Sequence, residues 1–213
     1  MSKPRVRTAK GRPVASTKWL ARQLADPYIA RARAEGYRSR AAYKLLEMDA
    51  KAHFLRPGAL VLDLGAAPGG WSQVAAAKGC RVVATDILPM DPLSGVAFTQ
   101  MDFMDDAAPA RLVAALGGPA ALVMSDMAPN TTGHRATDHL RIVAMAEAAL
   151  DLAQAVLAPG GAFLAKLWQG GAQGDLHRAL TRGFAKVRTL KPPASRKDSA
   201  ECYALATGFR GRT

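Results

Sequence analysis

The chain has 213 residues, 49% of them hydrophobic, which suits one domain with a real core. No apolar run approaches the roughly 20 residues that cross a bilayer, and the basic N-terminus has no apolar segment behind it to act as a secretory signal. The net charge of +12 is unevenly spread: residues 1–58 hold 14 Lys/Arg against 4 Asp/Glu, while residues 59–213 hold 15 against 13. A basic arm beside a near-neutral domain points to a polyanionic partner.

Residues 1–17 read as a basic flexible tail punctuated by Pro4, Gly11 and Pro13. The acid-free stretch 1–25 also has the composition of a mitochondrial transit peptide. The basic character continues, however, into residues 18–58, which read as a helical RNA-binding segment. The pattern predicts a helix over 18–35, with Asp26-Pro27 as a cap and first-turn signal. Gly36 interrupts it. A second helix is predicted over 39–53, with Ser39 as N-cap and Leu45, Leu46 and Met48 as its apolar stripe. Trp19, Tyr28, Tyr37 and Tyr43 interleave with Arg22, Arg31, Arg33, Arg38 and Arg40. In such a pattern aromatic faces can stack bases while arginines hold phosphates.

Residues 59–213 alternate between apolar runs and helical patterns. Strands are predicted at Ala59–Leu64, Arg81–Asp86, Val96–Met101, Ala120–Ser125, Ala162–Leu167, Val187–Leu190 and Glu201–Thr207. Helices are predicted near 71–78, 108–116, 138–157 and 176–184. Strands separated by helices imply an α/β fold with an open, mostly parallel sheet and helices on both faces. Cys80 and Cys202 lie in apolar strand-like runs without a CxxC partner and read as buried reduced thiols. His53, His134, His139 and His177 lack metal-ligand spacing, so no metal is expected.

The loop after the first strand carries Gly65-x-x-x-Gly69-Gly70 and opens a helix. Glycines there let the backbone approach a ligand at the carboxyl edge of the sheet. The spacing departs from the dinucleotide fingerprint, and Pro68 removes an N–H that a pyrophosphate cradle would use. No Lys-Ser/Thr follows, which excludes a Walker-type loop. A tight turn without any ligand remains the alternative. Asp86 ends the second strand, 21 residues after Gly65, where a carboxylate accepts the hydroxyls of an adenosine ribose. Asp102 ends the third strand and Asp126 the fourth. Three carboxylates on one crevice suit a ligand with a ribose, an amine and a sulfonium better than one with two phosphates.

The runs Asp63–Gln73 (DLGAAPGGWSQ), Asp86–Asp91 (DILPMD), Ser125–Asn130 (SDMAPN), Leu157–Gly161 (LAPGG) and Ser199–Tyr203 (SAECY) together resemble the FtsJ-type 2′-O-methyltransferase family. The resemblance covers roughly residues 18–209. It implies a Rossmann-like, seven-stranded class I methyltransferase fold with S-adenosylmethionine as cofactor, contacted by Gly69, Trp71, Asp86, Asp102 and Asp126. It also implies a catalytic tetrad of Lys44, Asp126, Lys166 and Glu201. In that set Lys166 deprotonates or orients the hydroxyl, Lys44 adds positive charge, Asp126 orients Lys166, and Glu201 positions a lysine or the ribose. A lysine inside the apolar run 163–168 fits such a role, although a solvent-facing strand position would also explain it. By themselves, Lys44 could be a solvated helix lysine and Glu201 a strand-edge charge. Arg38, Arg40, Arg196 and Lys197 flank the tetrad in sequence and are candidates for gripping phosphates.

The substrate implied is a uridine 2′-hydroxyl in large-subunit ribosomal RNA, in a cytoplasmic, monomeric enzyme that needs no metal. A transfer RNA methyltransferase of the same family and a non-enzymatic ribosome assembly factor are the alternatives. Base N-methylation is disfavoured, because SDMAPN lacks the Asn/Asp-Pro-Pro-aromatic pattern.

Overall fold

The computed structural model describes residues 26–129, 132–169, 174–196 and 199–211. Helices α1 (Pro27–Ala34) and α2 (Ala41–Ala52) precede the sheet. Then come β1 (Leu60–Leu64), α3 (Gly70–Ala77), β2 (Arg81–Asp86), β3 (Val96–Gln100), α4 (Ala108–Leu116) and β4 (Ala120–Ser125). The chain continues through α5 (Arg135–Val156), β5 (Leu157–Trp168), α6 (Gly174–Gly183), β6 (Phe184–Leu190) and β7 (Glu201–Phe209).

The seven strands form one sheet in the order β3-β2-β1-β4-β5-β7-β6. Strands β1 to β5 pair in parallel, and β7 inserts antiparallel between β5 and β6. The strand order reverses between β1 and β4. In open α/β sheets ligands bind in the crevice at the carboxyl ends beside such a reversal.

Side-chain alternation along the strands builds two cores. Leu62 and Leu64 of β1 and Phe163, Ala165 and Leu167 of β5 face α4, α5 and α6. Val61 of β1, Leu122 and Met124 of β4 and Leu164 of β5 face α2 and α3. Leu62, Leu64, Leu122, Met124 and Leu164 are fully buried. Each contributes about 1.5–3 kcal/mol by leaving water. Ala42, Leu45 and Met48 of α2 belong to the same core as Val61 and Val82. Helix α2 is therefore packed into the sheet's own core, whereas Ala32 of α1 joins a separate small cluster with Tyr43 and Ala194.

Several boundaries differ from expectation for identifiable reasons. Asp26 caps α1, accepting from the Tyr28 amide at 3.1 Å, with Pro27 at the first position; residues 18–25 lie outside the described residues. Ser39 does not cap α2. The cap position belongs to Arg40, without a side-chain bond. Ser39 Oγ instead presses against Gly70, where any Cβ would overlap it. Strand β5 begins at Leu157, because Pro159-Gly160-Gly161 is carried in a bulge: the pairing jumps from Ala120↔Leu157 to Leu122↔Ala162. Phe184 opens β6 and does not close the preceding helix, since its ring packs 5.3 Å from Phe209 and 6.5 Å from Phe163. Among the described residues no helix is long and apolar enough to cross a membrane. Cys80 and Cys202 are free and buried.

Candidate active site

A cavity of about 440 Å³ opens at the carboxyl edge, beside the reversal of strand order. That volume lies in the usual range for small-molecule sites. Gly65 and Ala67 line it from the β1–α3 loop, and Asp86, Asp102 and Asp126 from the ends of β2, β3 and β4. The three carboxylates expected to share a crevice do share one. Gly65 has φ +75°, and a Cβ there would overlap Met127 Cγ across the cavity floor.

Asp86 and Asp102 are oriented by backbone amides, whereas the Asp126 carboxylate is held by the side chains of Lys166 and Tyr203. Asp86 Oδ2 accepts from the Ala67 amide at 2.9 Å and Oδ1 from the Leu88 amide at 2.8 Å. Each oxygen keeps accepting capacity for a ligand hydroxyl. Asp102 Oδ1 accepts from the Met104 amide at 2.9 Å. Ile87, Leu88 and Met104 are 62%, 58% and 57% exposed and form an apolar rim. Among the described residues, no Lys or Arg lines the cavity. An acidic, apolar-rimmed cavity fits a nucleoside carrying a cationic sulfonium and not one carrying phosphates. The donor set therefore fits S-adenosylmethionine.

Beside the cavity the four tetrad residues come together from distant parts of the chain. Lys166, on the β5 face shared with Leu164, pairs in register with Tyr203. Its Nζ donates to the Asp126 carbonyl at 2.7 Å and lies 2.8 Å from Asp126 Oδ1. Lys44, about one turn into α2, donates to Glu201 at 2.8 Å. The cross pairs are longer, 3.8 Å for Lys44–Asp126 and 3.7 Å for Lys166–Glu201. Two cations and two anions thus alternate in a nearly buried ring. Asp126 belongs to both the ring and the cavity wall.

The electrostatics follow from that geometry. Burial pushes the Asp126 carboxyl upward, but Lys166 and Lys44 outweigh it, with hydrogen bonds from Lys166 and Tyr203, and hold it below its ordinary value. Burial raises Glu201 too, and Lys44 and Lys166 again win, so its carboxyl is also held low. Asp63 behaves differently. It is 1% exposed, and burial, opposed by the Ser72 hydrogen bond and reinforced by Asp126 and Asp86, pushes its carboxyl up to about 7. Its Oδ2 accepts from Ser72 Oγ at 2.6 Å, tying the end of β1 to the first turn of α3.

Gly69 and Trp71 stand behind the cavity and not among its lining residues. Gly69 has φ +104° and faces Arg38 and Met90. Trp71 is 3% exposed; its Nε1 donates to the Ala41 carbonyl at 2.9 Å and its ring packs 5.6 Å from Tyr203.

The arginines expected to hold phosphates have partners within the protein. Arg38 donates to the carbonyls of Pro68, Asp91 and Pro92. Arg40 pairs with Asp26 at 3.1 Å and donates to the Ala194 carbonyl. Arg196 reaches the same Asp26 oxygen at 3.3 Å. Lys197 lies outside the described residues. The tyrosines of this segment pack together, with Tyr43 buried and Tyr28 and Tyr37 half-buried. Tyr28 and Tyr37 each lie 5.4 Å from the Tyr43 ring, which is 2% exposed and carries Arg31 over it at 4.5 Å. Tyr43 donates to Glu35 and Tyr28 to Glu47. Trp19 and Arg22 lie outside the described residues.

Two residues of the site escape the sequence reading. Tyr203 is fully buried inside the ring: its hydroxyl accepts from Lys44 at 3.1 Å and donates to Asp126 Oδ1 at 2.7 Å. Burial, then Asp126 and Glu201, push that phenol well above its ordinary value. A signal for it existed, because period-two alternation along β7 puts Tyr203 on the face of Glu201. Ser195 donates to Glu201 Oε1 at 2.7 Å. Nothing in its local sequence marks it, since it is positioned by a loop fold.

Comparison with known proteins is consistent with this geometry. Residues 37–209 match the FtsJ-like methyltransferase family. The ribosomal RNA large subunit methyltransferase E of Azorhizobium caulinodans is 61% identical over 215 residues, covering 98% of this chain and 90% of that relative. The protein of the same name from Xanthobacter autotrophicus is 60% identical over 215 residues, covering 98% and 85%. A crystal structure of a Plasmodium falciparum protein described as a ribosomal RNA methyltransferase superposes with a TM-score of 0.75 at 29% identity, covering 83% of this chain and all of that one.

Proposed function

Since the chain belongs to the FtsJ-like methyltransferase family, we propose that it transfers a methyl group from S-adenosylmethionine to a uridine 2′-hydroxyl in the large-subunit ribosomal RNA. The observation that carries this reading is the four-residue ring joined to the cavity through Asp126. The relatives named for large-subunit ribosomal RNA supply the substrate class. The enzyme acts in the cytoplasm and as a monomer.

S-Adenosylmethionine, when bound, supplies an electrophilic methyl on a sulfonium that departs as a neutral thioether. Asp86 binds the ribose hydroxyls with the acceptor capacity its two amide partners leave free. Asp102 accepts from the adenine amine, between the apolar rim residues. Asp126 offers a negative charge to the cationic end. Gly69 and Trp71 act through the loop: Gly69 permits its turn, and Trp71 backs Tyr203.

Lys166 Nζ, held by the Asp126 carbonyl and carboxylate, orients the ribose hydroxyl, whose proton passes to water as the methyl is transferred. Glu201 and Tyr203 hold Lys44 beside this pair, and Lys44 stabilises the developing alkoxide. Holding the ribose hydroxyl in a fixed orientation would supply much of the rate acceleration. The RNA is gathered by the basic residues 1–25 and Lys197.

The experiment that tests the reading is incubation with labelled S-adenosylmethionine and, in parallel, large ribosomal subunits, free ribosomal RNA and transfer RNA. Label on a ribose of the large-subunit RNA is the expected result. Label on transfer RNA or on a base would replace the proposed substrate, and no transfer to any RNA would remove the enzymatic reading.

A further inference from the structure

Arg38 has a geometry that phosphate binding does not explain. Its guanidinium donates to the Asp91 carbonyl at 2.7 Å, the Pro92 carbonyl at 2.6 Å and the Pro68 carbonyl at 3.3 Å. Pro68 belongs to the β1–α3 loop, whereas Asp91 and Pro92 belong to the loop after β2. One planar cation therefore bridges the two loops that wall the cavity. Its own backbone is held as well: the Arg38 amide donates to Gln73 Oε1 at 3.0 Å, and Gln73 Nε2 donates to the Gly36 carbonyl at 2.8 Å.

The same two loops are joined a second time from the cavity side. Asp86 accepts from Ala67 in one loop and from Leu88 in the other. Asp86 and Arg38 thus form two separate ties across one pair of loops. A loop pair tied at one point can pivot about it, whereas two ties fix the direction of the Asp86 carboxylate. Gly69 completes the fit, since an ideal Cβ there would lie 3.1 Å from both Arg38 Cδ and Nη1. The loop glycine lets Arg38 lie close as well as letting the backbone turn.

We propose that Arg38 is a positioning residue for the cofactor site, clamping the glycine loop to the loop after β2 so that Asp86 is held for the ribose hydroxyls. This rests on the reading that S-adenosylmethionine occupies the cavity. Arg38 lies just before α2, which carries Lys44. The segment that supplies a catalytic cation therefore also closes the cofactor loops.

The test uses the full chain, wild type and the variants Arg38→Lys and Arg38→Ala. S-Adenosylmethionine is titrated calorimetrically without RNA, and amide hydrogen exchange is followed in the cofactor-free protein. Lysine keeps the charge but cannot span two loops. Both variants are expected to bind S-adenosylmethionine at least about tenfold more weakly, the loss expected from one or two charge-assisted hydrogen bonds. The Leu88 amide should exchange faster, while amides of β1 and β4 stay protected. In turnover, KM for S-adenosylmethionine should rise by more than kcat falls. Unchanged cofactor affinity, together with weaker RNA binding and a salt slope reduced by about one, would make Arg38 a phosphate ligand and overturn the proposal. A wild-type chain that binds no S-adenosylmethionine would instead sink the cofactor reading on which it rests.

Discussion

Lys166 reaches two different atoms of Asp126, the backbone carbonyl at 2.7 Å and the carboxylate at 2.8 Å. The two contacts fix the ammonium-bearing end of a side chain that would otherwise rotate freely. They also place it at the end of β4, where the chain leaves the sheet and the cavity begins. A lysine held this way presents its Nζ at a fixed point beside the cavity.

Replacing Lys166 by alanine should therefore abolish methyl transfer while sparing the cofactor. The rate at saturating RNA should fall on the order of 10³-fold, the range seen when a proton acceptor or a main electrostatic contact is removed. Calorimetric binding of S-adenosylmethionine should stay within a few-fold of wild type, since Lys166 does not line the cavity. Full activity in this variant would take Lys166 out of the chemistry.

Tyr203→Phe removes one hydroxyl and keeps the ring against Trp71. Lys44 loses an acceptor and Asp126 a donor. Stability should drop by about 1–2 kcal/mol. Because the lost bond helps to hold the Asp126 carboxyl low, the acidic limb of the rate–pH profile should move to higher pH. Urea unfolding and a pH series of single-turnover rates would check both, and an unmoved acidic limb would separate Tyr203 from Asp126.

Asp63 should give the fold a pH dependence in the neutral range. Its folded value of about 7 lies above that of an unfolded aspartate, so the folded protein holds the extra proton between the two. Its contribution is fully present below the unfolded value and is lost as pH rises through 7. Between pH 5 and 8 that loss approaches about 3 kcal/mol. Asp63→Asn can still accept from Ser72 and should flatten the profile in urea titrations at pH 5 to 8. An unchanged slope in that variant would assign the effect elsewhere.

Asp126 and Glu201 should act in the opposite direction and at lower pH. Both carboxyls are held below their ordinary values, so their stabilisation is present above the unfolded carboxylate range. It disappears as pH falls through the depressed folded values. A Glu201→Gln protein should lose up to about 3–5 kcal/mol at pH 7, because Lys44 loses its nearer carboxylate and shares only Asp126, at 3.8 Å, with Lys166. That deficit should shrink in acid, where wild type also loses the charge, and a deficit constant down to pH 2 would contradict the ion-pair account.

Residues 1–25 carry seven Lys/Arg and no Asp/Glu. Deleting them should leave the Asp86 and Asp102 contacts, and with them cofactor affinity, nearly unchanged. RNA affinity should fall, with a salt dependence shallower by several counterions. The boundary matters, since a cut at residue 38 would also remove Asp26, Tyr28 and Arg38, which pack and pair with the rest of the fold. Equal RNA affinity after the shorter deletion would move the RNA grip elsewhere.

The alternation of strands and helices, the glycine loop and the carboxylates at three strand ends were legible in the linear chain, because each is a local pattern of period or spacing. Family resemblance added Lys44, Lys166 and Glu201, and sheet register then explained why they meet: Lys166 stands opposite Tyr203, and Trp168 opposite Glu201. What composition could not decide was the use to which each charge is put. Arg38, Arg40 and Arg196 look alike as basic residues near a catalytic set, yet they pair with loop carbonyls and with Asp26. Tyr28, Tyr37 and Tyr43 look like a stacking surface, yet they pack on one another. A cation or a ring carries no local mark of its partner, because partners such as Pro92 or Ala194 are contributed by distant segments. Only the tertiary fold sets which backbone oxygens lie within 3 Å of a guanidinium. The opening glycine loop shows the same division: its turn was written in Gly65 and Gly69, and its clamp in the position of Arg38.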